Sequence, residues 1–267
     1  MKVSLIQYSA GINIAENFNK AMGFLKLAIE SKPDIICLPE NFLHSGPDSR
    51  PNHTTINCAE IKSFQKFAKE NNVNLILGSI KIRENSAGKS TNTCLVIDRN
   101  GEIVHRYDKI FMYTINKDGV VYDEASETKS GEHLGLFELD GIKMGVGICV
   151  DIRFPFYFSE LTRKGAKVIF LPSVMRKLTG KKLWEYLPVA RAIENQVYFC
   201  ACSQTKNIGN SKTGDAVGNS KIISFNGDLL AQLGEEEEIC TAALDFESQN
   251  QFRNEILMLH QFSRKFS

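Results

Sequence analysis

Short β-branched runs alternate along this chain with segments of helical period, and this alternation constrains the fold more than any other feature. The runs VSLIQYS (3–9), DIICLPE (34–40) and NLILGSI (74–80) predict strands. The segments 13–32 and 61–72 carry apolar residues at helical spacing and predict amphipathic helices. This order of strands and helices is typical of βαβ units.

Three further segments consist of two apolar runs that flank a short turn. Each turn contains an Asn-Gly or Asp-Gly pair, which supplies the positive φ that tight hairpin turns require. The predicted hairpins are 91–109 with Asn100-Gly101, 134–149 with Asp140-Gly141, and 221–234 with Asn226-Gly227. Because the chain mixes βαβ units with hairpins, we expect an α/β fold in which two layers of sheet are covered by helices.

Composition and charge narrow the class of protein. The chain has 267 residues, 43% hydrophobic and 24% charged, which fits one compact domain over 1–267. Its 32 basic and 31 acidic residues leave a formal charge of +1, which argues against a nucleic acid or a membrane as partner and favours a small molecule. The N-terminal apolar stretch is interrupted at Gln7 and Tyr8, and no run approaches the roughly 18 residues that span a bilayer. We therefore expect a cytoplasmic protein.

The cysteines and histidines argue against a metal site. Seven cysteines form no CxxC pair, and five histidines form no HxH or HExxH pattern. We therefore expect reduced thiols and no bound metal. Cys200 and Cys202 alternate with Phe199 and Ala201, which predicts that both thiols share one face of a buried strand.

Three chemically complementary residues follow apolar strand runs, where an α/β sandwich opens its active-site crevice. Glu40 follows IICL, Lys109 follows EIVHRY, and Cys149 ends GVGIC. Each alone has an ordinary explanation as a helix cap, a surface lysine or a buried thiol. Together they form a base, a cation and a nucleophile, as acyl transfer from an amide requires. Lys109 and the N–H of Val150 would then stabilise the oxyanion.

In combination, these motifs resemble those of the nitrilase superfamily of carbon-nitrogen hydrolases, and most of all its ω-amidase and Nit-type amidase branch. The resemblance implies a four-layer αββα sandwich that pairs across helices into a homodimer. It also implies hydrolysis of a small primary amide, such as a dicarboxylic acid monoamide, through a thioester on Cys149, with no cofactor. The motifs are LPEN (38–41), YDKI (107–110), GICVDIRFP (147–155), RAIENQVY (191–198) and VGNSKIISFNG (217–227).

The resemblance implies a second active-site glutamate in the loop before the nucleophile strand. Glu124, seven residues before Gly131, matches the spacing of that branch better than Glu127 or Glu132. The sequence also departs from the branch at one position, because Val150 stands where a tyrosine commonly follows the nucleophile. Any polar contact of that phenol with the substrate is therefore missing.

Basic residues after the nucleophile predict recognition of an anionic substrate tail through charge-assisted hydrogen bonds. Arg153 is equally compatible with substrate contact and with structural neutralisation by Asp151. The basic residues are Arg153, Arg176, Lys181 and Lys182.

Other functions remain open at this point. A nitrilase or an N-carbamoyl hydrolase would use the same triad, and a non-catalytic binding module would keep the fold but is expected to lose a triad residue. A papain-like hydrolase needs a histidine base, yet His44 and His105 lie in no matching motif. Trp184 is expected to pack in a helix, Arg191 and Glu194 to pair on one, and the acidic run 235–238 to form a solvated loop.

Overall fold

The computed structural model describes residues 1–45, 54–84, 88–117, 119–206 and 215–259. Two six-stranded sheets lie at its centre. The first has the order β14-β1-β2-β3-β4-β5, and the second has the order β13-β12-β11-β10-β9-β8. The strands of the first sheet are β1 Lys2–Gln7, β2 Ile35–Cys37, β3 Asn74–Ile82, β4 Thr91–Ile97, β5 Ile103–Asp108 and β14 Glu238–Ala243. Those of the second are β8 Leu136–Leu139, β9 Ile142–Val146, β10 Val168–Ser173, β11 Tyr198–Ser203, β12 Lys221–Ile223 and β13 Leu229–Gln232.

Both sheets combine a parallel centre with antiparallel edges. In the first sheet β1, β2 and β3 are parallel, and β4, β5 and β14 add antiparallel strands. In the second, β9, β10 and β11 are parallel, and β8, β12 and β13 are antiparallel. The predicted mixture of βαβ units and hairpins is therefore confirmed.

Helices cover the outer face of each sheet, which confirms the predicted αββα sandwich. Leu5 packs in the cluster between the sheets, whereas its neighbour Ile6 packs against the helices outside the first sheet, as the two-residue period of a strand requires. Apolar residues of α1 and α2 complete that outer cluster, and α3 and α4 pack against the second sheet. The helices are α1 Ile14–Ala28, α2 Ala59–Asn71, α3 Pro155–Arg163, α4 Lys177–Asn195 and α5 Phe246–Glu255.

The three hairpin turns lie where the Asn-Gly and Asp-Gly pairs predicted them. Asp140 and Gly141 both have positive φ, at 51° and 75°. At the other two turns only the glycines do, with Gly101 at 84° and Gly227 at 96°. A hairpin that the sequence analysis did not predict, β6 Thr114–Lys117 with β7 Val120–Asp123, leads directly to Glu124.

Several local predictions differ from the structure in length. The predicted helix 13–32 ends as α1 at Ala28 and continues only as a 3-10 turn, Ile29–Ser31. The predicted strand 34–40 ends at Cys37, although Leu38 N still donates to Ile76 O of β3 at 3.0 Å, and a turn begins at Glu40. Cys200 and Cys202 are buried at alternate positions of β11, as predicted. No helix in the described part of the chain is long and apolar enough to cross a membrane.

Candidate active site

One cavity of about 350 Å³ is lined by the four predicted catalytic residues and by three of the residues predicted to bind substrate. Four chain segments supply the proposed catalytic groups. Glu40 lies in the loop after β2, and Lys109 follows β5. Glu124 begins a 3-10 turn after β7, and Cys149 begins another after β9. The seven predicted residues in the lining are Glu40, Lys109, Glu124, Cys149, Val150, Arg153 and Arg176.

Lys109 lies between two buried carboxylates. Its Nζ is 3.0 Å from Glu40 Oε1 and 2.9 Å and 3.2 Å from the two oxygens of Glu124. Only 2% of the Lys109 side chain is exposed. Of the three glutamates considered as second active-site acid, Glu124 contacts Lys109, Glu127 lines the cavity, and Glu132 is exposed outside its lining.

Backbone and amide groups orient the two carboxylates. The N–H of Val174 donates to Glu40 Oε2 at 2.7 Å, and the N–H of Tyr113 donates to Glu124 Oε2 at 2.9 Å. Asn92 Nδ2 donates to both acids, at 2.9 Å to Glu40 Oε1 and 3.2 Å to Glu124 Oε1. Asn92 was not predicted as a site residue, although an asparagine is unusual in a β-branched strand run such as TNTCLVI.

The ionisable groups of the site shift one another's pKa values. Burial by itself raises the pKa of Glu40, but the charge and hydrogen bond of Lys109 oppose it, and the net pKa lies below its usual value. Burial lowers the pKa of Lys109, but Glu124 and Glu40 raise it well above its usual range. Burial, followed by the Glu40 carboxylate, raises the pKa of the Cys149 thiol. At neutral pH the site therefore holds an ionised carboxylate, an ammonium and a neutral thiol.

Cys149 has a strained backbone. Its φ of 49° lies in the left-handed region, which costs a non-glycine residue about 1–3 kcal/mol and is common at functional sites. After burial, the Glu40 carboxylate raises the pKa of this thiol most, whereas Lys109 and the Val174 N–H lower it, so these groups surround the sulfur. The strained turn therefore presents the sulfur next to a carboxylate that can accept its proton.

Asp151 fixes this turn to the segment around Lys109. Its carboxylate accepts hydrogen bonds from Ile148 N at 2.7 Å, Phe111 N at 3.2 Å and the Tyr107 hydroxyl at 2.7 Å. Burial raises the pKa of Asp151 to about 6 despite these donors. Within the described residues no ion pair joins Asp151 to Arg153, so of the two roles considered for Arg153, structural neutralisation by Asp151 is not observed.

Two glycines let neighbouring backbone segments pack closely, and this positions the segments that carry Glu40 and Lys109. A Cβ on Gly131 would lie 2.0 Å from the carbonyl oxygen of Asp108, and Gly131 N donates to Lys109 O at 2.8 Å. Gly78 lets β3 pass equally close beneath Leu38. Buried Gln204, which the sequence analysis also missed, donates to the backbone oxygen of Glu40 at 2.8 Å.

The basic residues divide between the cavity and the outer surface. Arg176 lines the cavity just before α4, and burial lowers its pKa. Arg153 is exposed at the same cavity and donates to the Thr179 carbonyl at 3.3 Å. Lys181 and Lys182 are exposed on α4 and are not among the lining residues, so the two arginines are the better placed anion ligands.

The remaining residues singled out from the sequence have structural contacts. Trp184 is buried and its Nε1 donates to Asn219 O at 2.9 Å, which confirms the packing interpretation. Arg191 pairs with Glu194 at 2.8 Å as predicted, and also donates to the Ile152 carbonyl beside the nucleophile turn. His105 stacks on a phenylalanine ring. Over the described residues there is no group of three or more metal-ligating side chains.

The acidic run 235–238 is exposed, and ion pairs with lysines attach it to other segments. Glu235 forms an ion pair with Lys177 at 2.7 Å, and Glu236 and Glu237 pair with lysines from two other segments. β14 begins at Glu238, so the predicted loop is one residue shorter than the run.

Comparison with known proteins agrees with this architecture. Residues 2–254 match the carbon-nitrogen hydrolase family. The omega-amidase NIT2 of Xenopus tropicalis is 33% identical over 263 residues, which are 97% of this chain and 94% of that protein. A deaminated glutathione amidase of Dictyostelium discoideum is 34% identical over 243 residues, which are 87% of this chain and 83% of that protein.

A solved structure of a related protein has the same fold. Saccharomyces cerevisiae Nit3, a member of branch 10 of the nitrilase superfamily, matches with a TM-score of 0.86 and 29% identity, over 96% of this chain and 94% of that one. The chain therefore belongs to the carbon-nitrogen hydrolase family of the nitrilase superfamily, as its motifs predicted.

Proposed function

We propose that this enzyme hydrolyses small primary amides through a thioester on Cys149 and prefers monoamides of short dicarboxylic acids. The observation that carries the proposal is the buried network in which Lys109 bridges Glu40 and Glu124 beside the Cys149 thiol. This network is built from the residue types that activate a thiol and stabilise an oxyanion. The relatives named omega-amidase and deaminated glutathione amidase support an amide as the substrate.

In the first half-reaction Glu40 accepts the proton of Cys149, and the sulfur attacks the amide carbon. The lowered pKa of Glu40 keeps it ionised and ready to accept this proton, while the neutral thiol is protected until substrate arrives. The positive charge of Lys109 and the Val150 N–H stabilise the oxyanion of the tetrahedral intermediate. The carbon-nitrogen bond then breaks, and ammonia leaves with the proton that Glu40 returns.

In the second half-reaction water cleaves the thioester. Glu40, ionised again, takes a proton from water, and the resulting hydroxide attacks the acyl carbon. The carbon-sulfur bond breaks, the sulfur recovers its proton, and the carboxylic acid is released. Glu124 holds Lys109 in place throughout, because its two oxygens both accept hydrogen bonds from the ammonium.

The preference for an acidic tail rests on the two arginines of the cavity. Arg176 and Arg153 are fixed positive charges that form strong hydrogen bonds with carboxylates. Val150 adds an apolar surface beside the nucleophile where a phenol is common in related enzymes. A short acyl chain with a terminal carboxylate would fit this combination.

The test is ammonia release from a panel of amides, nitriles and N-carbamoyl compounds, combined with intact-mass analysis during turnover. We expect an acyl adduct on the peptide that contains Cys149, and no activity in Cys149→Ala. Cys58→Ala is the matched control, because Cys58 is the other partly exposed cysteine in the described residues and lies outside the cavity lining. An adduct on another cysteine, or activity on nitriles alone, would reject the proposal.

We also propose that two copies of the chain pair across their helices. Exposed apolar side chains on α4 support this, with Tyr186 62% and Ile193 51% exposed, and Leu229 on β13 is 53% exposed. Light scattering after gel filtration should give twice the mass of one chain. A monomer at micromolar concentration would contradict this part of the proposal.

A further inference from the structure

We infer that Asn92 is a positioning residue of the proposed reaction, whose amide holds Glu40 and Glu124 on either side of Lys109. The inference rests on the proposed function, because it takes Glu40 as the proton acceptor. Asn92 is not among the residues that line the cavity. It acts only through Glu40, Lys109 and Glu124, which line the cavity and which it contacts.

One asparagine contacts all three residues of the buried network. The side-chain Nδ2 of Asn92 donates to Glu40 Oε1 and to Glu124 Oε1, at 2.9 Å and 3.2 Å. Its main-chain oxygen accepts a hydrogen bond from Lys109 N at 2.9 Å. Asn92 therefore fixes the lysine through its backbone and the two acids through its side chain.

The amide chemistry suits this position better than that of other side chains. Two carboxylates and one ammonium leave a net negative charge, and a neutral donor can bind both acids without changing that charge. If the side-chain amide of Asn92 were flipped, Oδ1 would face two carboxylate oxygens, which also only accept hydrogen bonds. The two carboxylates therefore fix the amide with Nδ2 toward them. Asn92 is fully buried, and its Oδ1 has no hydrogen-bond partner in the described structure. An unpaired buried acceptor destabilises the fold, which favours a functional reason for the asparagine.

The donated hydrogen bond affects the proton affinity of Glu40. Burial raises the pKa of Glu40, and the hydrogen bond from Asn92 is one of the interactions that bring it below its usual value. Without this donor the carboxylate would hold its proton to higher pH. Lys109, Cys149, Tyr122 and Arg176 interact electrostatically with Glu40, and Glu124 and Asp151 act on Lys109 beside it. None of these groups is itself changed when only Asn92 is replaced.

The experiment is the pH profile of kcat/KM for a hydrolysed amide in wild type, Asn92→Ala and Asn92→Asp. In Asn92→Ala we expect the acidic limb to move up by about one pH unit, because Glu40 loses a hydrogen bond to its charged form. In Asn92→Asp, which is isosteric but adds a third carboxylate, we expect kcat to fall by about 10² or more. Asn92→Ser keeps a single donor and should give an intermediate shift, and it replaces Asn92→Ala if that variant does not fold.

Asn74→Ala is the matched control. Asn74 is an equally buried asparagine in the same sheet, but its amide binds Asp34 O and Asp140 at a place outside the cavity. Its replacement should lower the melting temperature without moving the pH profile. If a folded Asn92→Ala or Asn92→Ser variant keeps both the wild-type profile and a kcat within about threefold of wild type, Asn92 is only structural and the inference is wrong.

A second readout separates this inference from the proposed function. The rate at which iodoacetamide alkylates Cys149 can be followed by intact mass against pH and needs no turnover. If wild type hydrolyses no amide but its alkylation profile still moves up in pH on replacing Asn92, the positioning role stands and the proposed function fails. If wild type is an amidase and neither profile moves, only the role of Asn92 fails.

Discussion

The ammonium of Lys109 donates hydrogen bonds to both oxygens of Glu124, at 2.9 Å and 3.2 Å, although the two residues are 15 positions apart. Both side chains are almost completely buried, at 2% and 6% exposure. Removing one partner of a buried ion pair leaves the other charge without compensation, which typically costs about 3–5 kcal/mol. In the proposed reaction, Glu124 therefore keeps Lys109 charged and oriented while Glu40 exchanges its proton.

Replacement of Lys109 should abolish most of the proposed activity. In Lys109→Ala we expect kcat to fall by about 10² to 10³, the usual loss when one oxyanion donor is removed. Lys109→Arg should recover little, since a planar guanidinium distributes its charge differently from an ammonium. Steady-state kinetics on an amide measure both effects, with exposed Lys181→Ala as control. A kcat near the wild-type value in Lys109→Ala would contradict the triad.

Replacement of Arg176 should change substrate preference more than the rate on neutral amides. We expect wild type to favour succinamate over butyramide in kcat/KM, and Arg176→Gln to reduce that ratio by about tenfold or more, because the tail loses a charge-assisted hydrogen bond. Arg153→Gln tests the second arginine in the same way. Equal ratios in wild type and both variants would show that neither arginine binds the acidic tail.

The stability of the protein should fall between pH 5 and pH 7.5 because of Asp151. Its pKa in the folded protein is raised to about 6, above the unfolded value of about 3.9, so up to about pH 6 the folded state holds a proton that the unfolded state has released. This contribution is present at low pH and is lost as the pH rises through 6. In Asp151→Asn, which cannot titrate, the pH-dependent part should shrink by about 1 kcal/mol, measured by urea unfolding at the two pH values. An identical pH dependence in the variant would show that Asp151 is ionised throughout.

A methyl group on Gly131 should displace Lys109. The added Cβ would lie 2.0 Å from the backbone oxygen of Asp108, which is not a flexible side-chain atom, so the chain around Lys109 must move. We expect Gly131→Ala to lower both the melting temperature and kcat. Gly23→Ala in α1 is the control, since nothing lies within 4 Å of its new Cβ and alanine favours a helix by about 0.5–1 kcal/mol. Unchanged kinetics in Gly131→Ala would show that the segment tolerates the shift.

The sequence by itself determined the fold class and the candidate catalytic residues. Alternation of apolar residues reports burial over a few neighbouring positions, so it predicted β1, β2, β3, α1 and α2, whereas β10, β14, α3 and α5 were not predicted. The Asn-Gly and Asp-Gly pairs located three hairpins because positive φ is a local backbone requirement. Glu40, Lys109 and Cys149 were found because each ends an apolar strand run, and Glu124 was found only through the family spacing. The β6–β7 hairpin escaped prediction because its short, largely exposed strands carry little apolar pattern.

The tertiary structure alone decided which other residues serve this site. Asn92 meets Glu40 across 52 positions of sequence, and the Val174 N–H meets it across 134. It also decided that Asp151 binds backbone N–H groups rather than Arg153, and that Arg176 lines the cavity while Lys181 and Lys182 lie outside its lining. Such contacts depend on strand register and on how two sheets and several loops meet. No local sequence pattern encodes them, because hydrogen-bond partners are selected by distance in space, within about 3 Å, and not by distance along the chain.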